Sequence, residues 1–415
     1  NRSDFAMLYN NLGNVYGDKG DLDTAIEYYN KALEIREEVL PKNHPDMAST
    51  YNNLGVAYRQ KGDLDKAVEY YKKALDIYEK VLPSNHPDLA MSYNNLGVAY
   101  SRKGDLDKAI EYYKKALKIR EEVLPSNHPS LASTYNNLGV AYSRKGDLDT
   151  AIEYYKKALK IREEVLPENH PDMASTYNNL GAAYRQKGDL DKAIENYNKS
   201  LDIYEKVLPS NHPDLASTYN NLGNAYGNKG DLDKAIEYYN KALDIYEKVL
   251  PSNHPNLAMS YNNLGVAYNA KGALDKAIEN YKKALDIYEK VLPSNHPDLA
   301  MSYNNLGVAY NDNGDLDKAI EYYNKALDIY EKVLPSNHPD LAGSYNNLGN
   351  AYGNKGDLDK AIELYQRALA VFKIALPNTH PYTSGTYENI IRAFLEKGDE
   401  ENALKYYDEM INFCK

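Results

Sequence analysis

The stretch PDMASTYNNLGVAYRQKGDLDKAVEYYKKALDIYEKVLPSNHP, residues 45–87, decides the fold. Ala48, Tyr51, Leu54, Gly55 and Tyr58 recur at i, i+3, i+4 and i+7 spacing, the apolar stripe of one α-helix. Pro45 stands at the opening of that helix, where no N–H partner is needed. Asp46 suits the positive end of its dipole. Gly62 is placed to end it in the left-handed conformation. Asp63 can then accept from the free N–H groups of a second helix. On that helix Leu64, Ala67, Val68, Tyr71, Ala74, Leu75, Tyr78 and Leu82 share one side, and the other side carries Lys66, Glu69, Lys72, Lys73, Asp76 and Glu79. Pro83 stops it.

The pattern returns every 42 residues, from Tyr9, Tyr51 and Tyr93 through to Tyr387. The nine histidines, His44 to His380, keep the same period and each precedes a proline. All 18 prolines lie in the segment exemplified by Leu82-Pro83-Ser84-Asn85-His86-Pro87. This sets repeats at 9–50, 51–92, 93–134, 135–176, 177–218, 219–260, 261–302, 303–344 and 345–386, with a divergent unit at 387–415. One helix pair cannot bury its own stripe, whereas stacked pairs bury a continuous core. The expectation is an all-α chain: one right-handed superhelical α-solenoid over residues 1–415, of about ten antiparallel helix pairs.

Composition agrees and excludes other classes. Of 415 residues, 43% are hydrophobic and 26% charged, a globular balance. No run of about 18 apolar residues marks a membrane span. A net charge of -11 argues against a nucleic-acid partner. The single cysteine, Cys414, cannot form an intrachain disulfide and fits a reducing, cytoplasmic setting. The 42 tyrosines, at about four per repeat, read as core packing.

These residues resemble the tetratricopeptide repeat. The family's aromatic, L-G, Y, G, A, aromatic, A pattern falls on Tyr51, Leu54-Gly55, Tyr58, Gly62, Ala67, Tyr71 and Ala74. The usual repeat has about 34 residues. Here the family's terminal proline offset falls on Glu79, and the punctuation has moved to Pro83. The longer period with N-N-L-G and H-P-D is similar to the repeats of kinesin light chain and nephrocystin. The last unit departs from the pattern, reading Tyr387-Glu388-Asn389-Ile390-Ile391 without the glycine. The first already matches the internal ones, so a longer parent protein is expected. Residues 93–134 and 135–176 differ at four positions, an identity that recent duplication or a consensus-like array would give. Such likeness also opens end-to-end self-association.

Motifs for chemistry are poor. The His-Pro step of His44-Pro45-Asp46 recurs ninefold, each time at a helix start, which makes it a turn and capping device. Single histidines one helix pair apart cannot share a tetrahedral metal ion. No phosphate-cradling glycine loop occurs, and no Ser/His/Asp set stands outside the repeat. The N-x-S/T sequons at Asn1 and Asn198 have no secretory signal beside them. No catalytic residue, metal or cofactor is expected.

The asparagine pairs are more informative, because asparagine is a poor helix former. One reading has each pair bridge to the neighbouring helix pair. The other makes the second asparagine a ladder for a bound chain, because a side-chain amide both donates and accepts and so can pair with any peptide unit. The resemblance implies this second use, on Asn53, Asn95, Asn137, Asn179, Asn221, Asn263, Asn305 and Asn347, with Asn11 and Asn389 at the ends. Both readings can hold at once. Specificity is then expected from positions that vary. Arg59, Arg102, Arg144 and Arg185 fall in repeats two to five, and repeats six to nine bring no arginine there. Arg36, Arg120 and Arg162 replace the Tyr78-type residue. A basic stripe on an acidic protein points to an acidic peptide. Asn14, Val56, Val98, Val140, Ala182, Asn224, Val266, Val308 and Asn350 are expected at the groove floor. The functional expectation is a protein-interaction scaffold that binds an extended peptide or partner protein. The alternatives are the sensor array of a larger regulatory protein, or a structural array with no natural ligand.

Overall fold

Most helix starts are capped by a side chain. The computed structural model describes residues 2–377 and 380–413, so Asn1 and Cys414 lie outside the described residues. At the head of the second repeat's first helix, His44 Nδ1 accepts from the Asp46 amide at 3.2 Å, and Pro45 takes the first turn. Gly62 closes that helix at φ 89°, a backbone only glycine adopts without strain. The Asp63 amide reaches back to the Tyr58 carbonyl at 2.9 Å. The Asp63 carboxylate then caps the next helix by accepting from the Lys66 amide at 3.1 Å. The sequence predicts the glycine and aspartate caps; the histidine side chain as an N-cap is a further detail of the H-P-D motif.

The described residues form twenty helices in pairs, with no strand. The chain divides into two compact halves, Asn1–Val207 and Leu208–Lys415. The first half holds α1 (Arg2–Asp18), α2 (Leu22–Val39), α3 (Pro45–Lys61), α4 (Leu64–Val81), α5 (Pro87–Lys103), α6 (Leu106–Val123), α7 (Pro129–Lys145), α8 (Leu148–Val165), α9 (Pro171–Lys187) and α10 (Leu190–Val207). The second holds α11 (Pro213–Lys229), α12 (Leu232–Val249), α13 (Pro255–Ala270), α14 (Leu274–Val291), α15 (Pro297–Asp312), α16 (Leu316–Val333), α17 (Pro339–Lys355), α18 (Leu358–Ala375), α19 (Pro381–Glu396) and α20 (Glu400–Phe413). Within each half every helix packs on the one before and the one after it.

Two contacts make the stack. Inside a pair, a tyrosine of the second helix lies flat on a glycine of the first. Tyr71 is fully buried on Gly55, and Tyr155 covers Gly139 in the same way. Burying such a ring contributes roughly 2–3 kcal/mol. Between pairs, the Tyr93, Tyr135 and Tyr177 hydroxyls donate to Glu79, Glu121 and Glu163 of the preceding helix at 2.7, 2.7 and 2.8 Å. Burial and that carboxylate push the Tyr177 phenol up to about 12. Tyr58 and Tyr70 stack with ring centroids 5.4 Å apart, and Tyr51 leans on Tyr70 at 6.1 Å. The tyrosine excess therefore belongs to the fold, in three environments: a ring buried on glycine such as Tyr71, the stacked rings of Tyr51, Tyr58 and Tyr70, and in several repeats a Tyr78-type ring buried at the joint with the next pair. Ion pairs such as Lys145–Asp107 also join successive repeats. They are exposed and screened, so they set register more than stability.

Arg36, Arg120 and Arg162 do not extend a basic stripe. Each reaches from the last turn of its helix into the first turn of the next. Arg36 donates to the Asp46 carbonyl at 2.6 Å and to Thr50. Arg120 and Arg162 bond Ser130 and Asp172 carbonyls, at 3.1 and 2.8 Å, together with Thr134 and Thr176. A guanidinium fits the joint because it finds acceptors there, while Tyr78 fills the same place by packing.

Two predictions follow from these contacts. Gly139→Ala would put a Cβ 2.6 Å from the Tyr155 ring. It should lower stability by about 1–3 kcal/mol in urea unfolding, although alanine is the better helix former by about 1 kcal/mol; a stabilised variant would contradict the contact. Ala273, at the head of α14, is the one N-cap of a second helix described without a side-chain bond. Ala273→Asp should raise stability by about 1 kcal/mol, read as a higher Tm, and an unchanged Tm would contradict it.

Candidate functional site

The N-N pair lies near the middle of each first helix, one residue before L-G. Asn53, Asn95, Asn137, Asn179, Asn221, Asn263, Asn305 and Asn347 are all half-buried. The second asparagine of one repeat donates its Nδ2 to the Oδ1 of the first asparagine of the repeat before. Asn53 reaches Asn10 at 3.2 Å, Asn137 reaches Asn94 and Asn179 reaches Asn136, both at 3.3 Å. In the second half Asn305 reaches Asn262 at 2.9 Å, Asn347 reaches Asn304 at 3.0 Å and Asn389 reaches Asn346 at 3.3 Å. The bridging expected from the sequence is therefore present. It spends the amide N–H groups on the neighbour and orients the carboxamides in a row.

The row is interrupted where the first asparagine turns inward. Asn52, 6% exposed, lies beside Tyr78 with both amide atoms lacking an ordinary hydrogen bond. Asn220, 4% exposed, donates to Ser260 at 3.3 Å and leaves its oxygen unsatisfied. Asn52 lies against Tyr78 of its own repeat, but a tyrosine at that position does not suffice to turn the asparagine, since Asn262 and Asn304 stay in the row in repeats that carry Tyr288 and Tyr330. Asn95 and Asn263, which would donate to Asn52 and Asn220, thus have a different setting from Asn137 or Asn305.

The four arginines gather at buried phenols. Arg59 lies against Tyr71 and Arg185 against Tyr197, each with its Nε buried and unpartnered. Arg144 donates to the Ser101 carbonyl at 2.5 Å and to its hydroxyl at 3.1 Å. Arg59, Arg102 and Arg144 all act on the Tyr113 phenol, opposing the rise that burial causes. Among the described residues none of the four arginines has a carboxylate within ion-pair distance. In the second half the same positions are neutral or acidic. Asn269 donates to Asp312 at 3.1 Å, and Asn354 to Asn311 at 3.1 Å.

The expected floor residues are half-exposed or exposed, from Val56 and Val98 to Val266. Asn14, Asn224 and Asn350 have a second task the sequence did not reveal: each accepts from a buried phenol, Tyr29, Tyr239 and Tyr365, at 2.9, 2.8 and 2.8 Å. Sequence reasoning also missed a cavity of about 550 Å³ in the second half, bounded by α15, α17 and α19. Its signal was present as Gly343 and Gly385, which stand where other repeats carry serine or methionine. No helix among the described residues is long and apolar enough to cross a membrane, and no cluster among them has the ligands of a metal site.

Comparison with known proteins places the chain. The tetratricopeptide repeat family matches in overlapping spans at residues 4–80, 79–122, 88–164, 130–206, 172–248, 214–290, 256–332, 298–374 and 340–415. Comparison with curated proteins gave no match. Among solved structures, a Podosopora anserina protein described as a kinesin light chain with nearly identical TPR-like repeats is 31% identical, over 49% of this chain and 96% of that one, with a TM-score of 0.45. The Pyrococcus horikoshii signal-transduction ATPase with a tetratricopeptide repeat sensor is 18% identical over 92% of this chain and 54% of its own, with a TM-score of 0.64. A Rap protein complexed with Competence and Sporulation Factor is 17% identical, over 89% of this chain and 98% of its own, at a TM-score of 0.52. The caps, the glycine–tyrosine contact and the family match agree, and the chain belongs to the tetratricopeptide repeat family.

Proposed function

We propose that the protein is a non-enzymatic scaffold, working in the cytoplasm, that holds an extended peptide or a segment of a partner protein on its asparagine row. The observation that carries this is the amide row itself. The carboxamides are oriented by their neighbours, yet remain half-exposed. With Nδ2 turned to the neighbouring repeat, the oxygens of Asn137 and Asn179 are left as acceptors for a peptide N–H. Preorganised amides of this kind recognise a backbone without reading its side chains. The arginines of the first half carry positive charge without a carboxylate, which supports an acidic segment there. The Rap complex lends fold-level support, as a related helical array that holds another molecule.

A pool of randomised peptides, selected on the full chain, supplies the ligand for the test. Changing Asn95, Asn137 and Asn179 together to alanine should weaken the selected peptide by roughly 2–4 kcal/mol, at unchanged helical circular dichroism. Unchanged affinity would sink the ladder.

A further inference from the structure

The cavity in the second half is open where two helices have lost their side chains. Gly343 in α17 and Gly385 in α19 are equivalent to Ser49, Met91, Ser133, Ser175, Ser217, Met259 and Met301 of the other repeats. Neither has the positive φ that calls for glycine. A Cβ built at either would meet nothing within 4 Å. So neither a turn nor a close helix contact explains them, and both weaken the helices that hold them. The glycine of L-G is the contrast, since its Cβ would strike a tyrosine ring. What Gly343 and Gly385 share is a place in the wall of the 550 Å³ cavity.

The remaining wall indicates what the cavity takes. Met301 and Tyr382 present apolar surface at 42% and 64% exposure, and the buried Phe372 ring closes the base. Asn304, Asn347 and Asn389, members of the amide row, lie along one side. The lining carries two carboxylates, Asp340 and Glu388, and no lysine, arginine or histidine. An acidic side chain would meet only like charge there. The volume falls within the range of sites that enclose a small organic group.

We infer that this cavity is a specificity pocket for one bulky apolar side chain, aromatic or long aliphatic, of an uncharged or cationic stretch of peptide. The inference rests on the peptide-binding reading of the amide row. The peptide backbone runs along Asn347 and Asn389, and the glycines make room for the anchor where the other repeats project a methionine or serine side chain. This is a demand different from the one the first-half arginines make, so one scaffold reads two kinds of sequence.

The test uses the full chain with its methionine methyl groups labelled with carbon-13 and observed by NMR. The probes are N-acetyl-phenylalanine N-methylamide and N-acetyl-aspartate N-methylamide, titrated separately. A ligand of that size should bind at roughly millimolar concentration. The phenylalanine probe should shift the Met301 signal saturably and leave Met91 and Met259, exposed in other repeats, unmoved; the aspartate probe should shift none. Gly343→Met restores the residue that Met301 occupies one repeat earlier. It should raise the Tm and abolish the saturable shift, so a loss of binding cannot be laid to unfolding. Equal shifts at all three methionines, no saturable shift at Met301, or a shift that survives Gly343→Met would each overturn the pocket. The alanine changes at Asn95, Asn137 and Asn179 lie in α5, α7 and α9 and do not touch it. Failure of the pocket and failure of the amide row are therefore separate results.

Discussion

A pair of helices has two faces to cover and only one partner of its own. That constraint shapes everything else in this chain. Inside a pair, glycine lets a tyrosine ring come down on the first helix, as Tyr155 does on Gly139. The far side of the second helix is then covered by the next repeat. There Tyr78 or Arg36 fills the joint, and the tyrosine–glutamate bond pins it. Stability built this way is a sum of neighbouring contacts rather than the property of one centre. A joint can accept tyrosine in one repeat and arginine in another because each joint is solved locally.

The same constraint divides structure from function. Positions that must meet a neighbour repeat with little change. Positions that need not do so are free to differ, and the differences are where recognition is available. The amide row stands between these cases. It is repeated because it bridges, through bonds such as Asn347 to Asn304, and it stays half-exposed. The arginines around Tyr113 and the glycines of α17 and α19 are departures from the pattern. They give the two halves different chemistry, with arginines that have no carboxylate partner among the described residues in the first and a cavity of mixed apolar and amide lining with two carboxylates in the second.

Nearly all of the fold was legible in the sequence, because its signals are local and repeated. Proline, glycine and aspartate mark each helix end, and the spacing from Tyr51 to Tyr58 marks the buried stripe. The less legible parts concern side-chain direction. Nothing in N-N-L-G tells that Asn52 and Asn220 turn inward while Asn94 and Asn136 do not. A tyrosine at the Tyr78 position does not by itself decide it, because Asn262 and Asn304 stay in the row in repeats that carry Tyr288 and Tyr330. Arg36, Arg120 and Arg162 looked like surface charge and instead staple successive repeats, since their partners are backbone carbonyls that no motif shows. Asn14 and its equivalents looked like groove floor and also satisfy buried phenols. The cavity was hidden for a different reason: a missing side chain leaves no pattern of its own and is visible only against the repeats that keep it.

Within each half the helix pairs form a stack of equivalent joints. This is tested most directly by removing one whole repeat, residues 135–176, which differ from 93–134 at four positions. The excision joins Thr134 to Tyr177 and recreates the junction already present between Thr134 and Tyr135. Circular dichroism with thermal unfolding should show the same helicity per residue and a cooperative transition at a somewhat lower temperature. Loss of helicity beyond the share of the excised residues, or a broad non-cooperative transition, would contradict it.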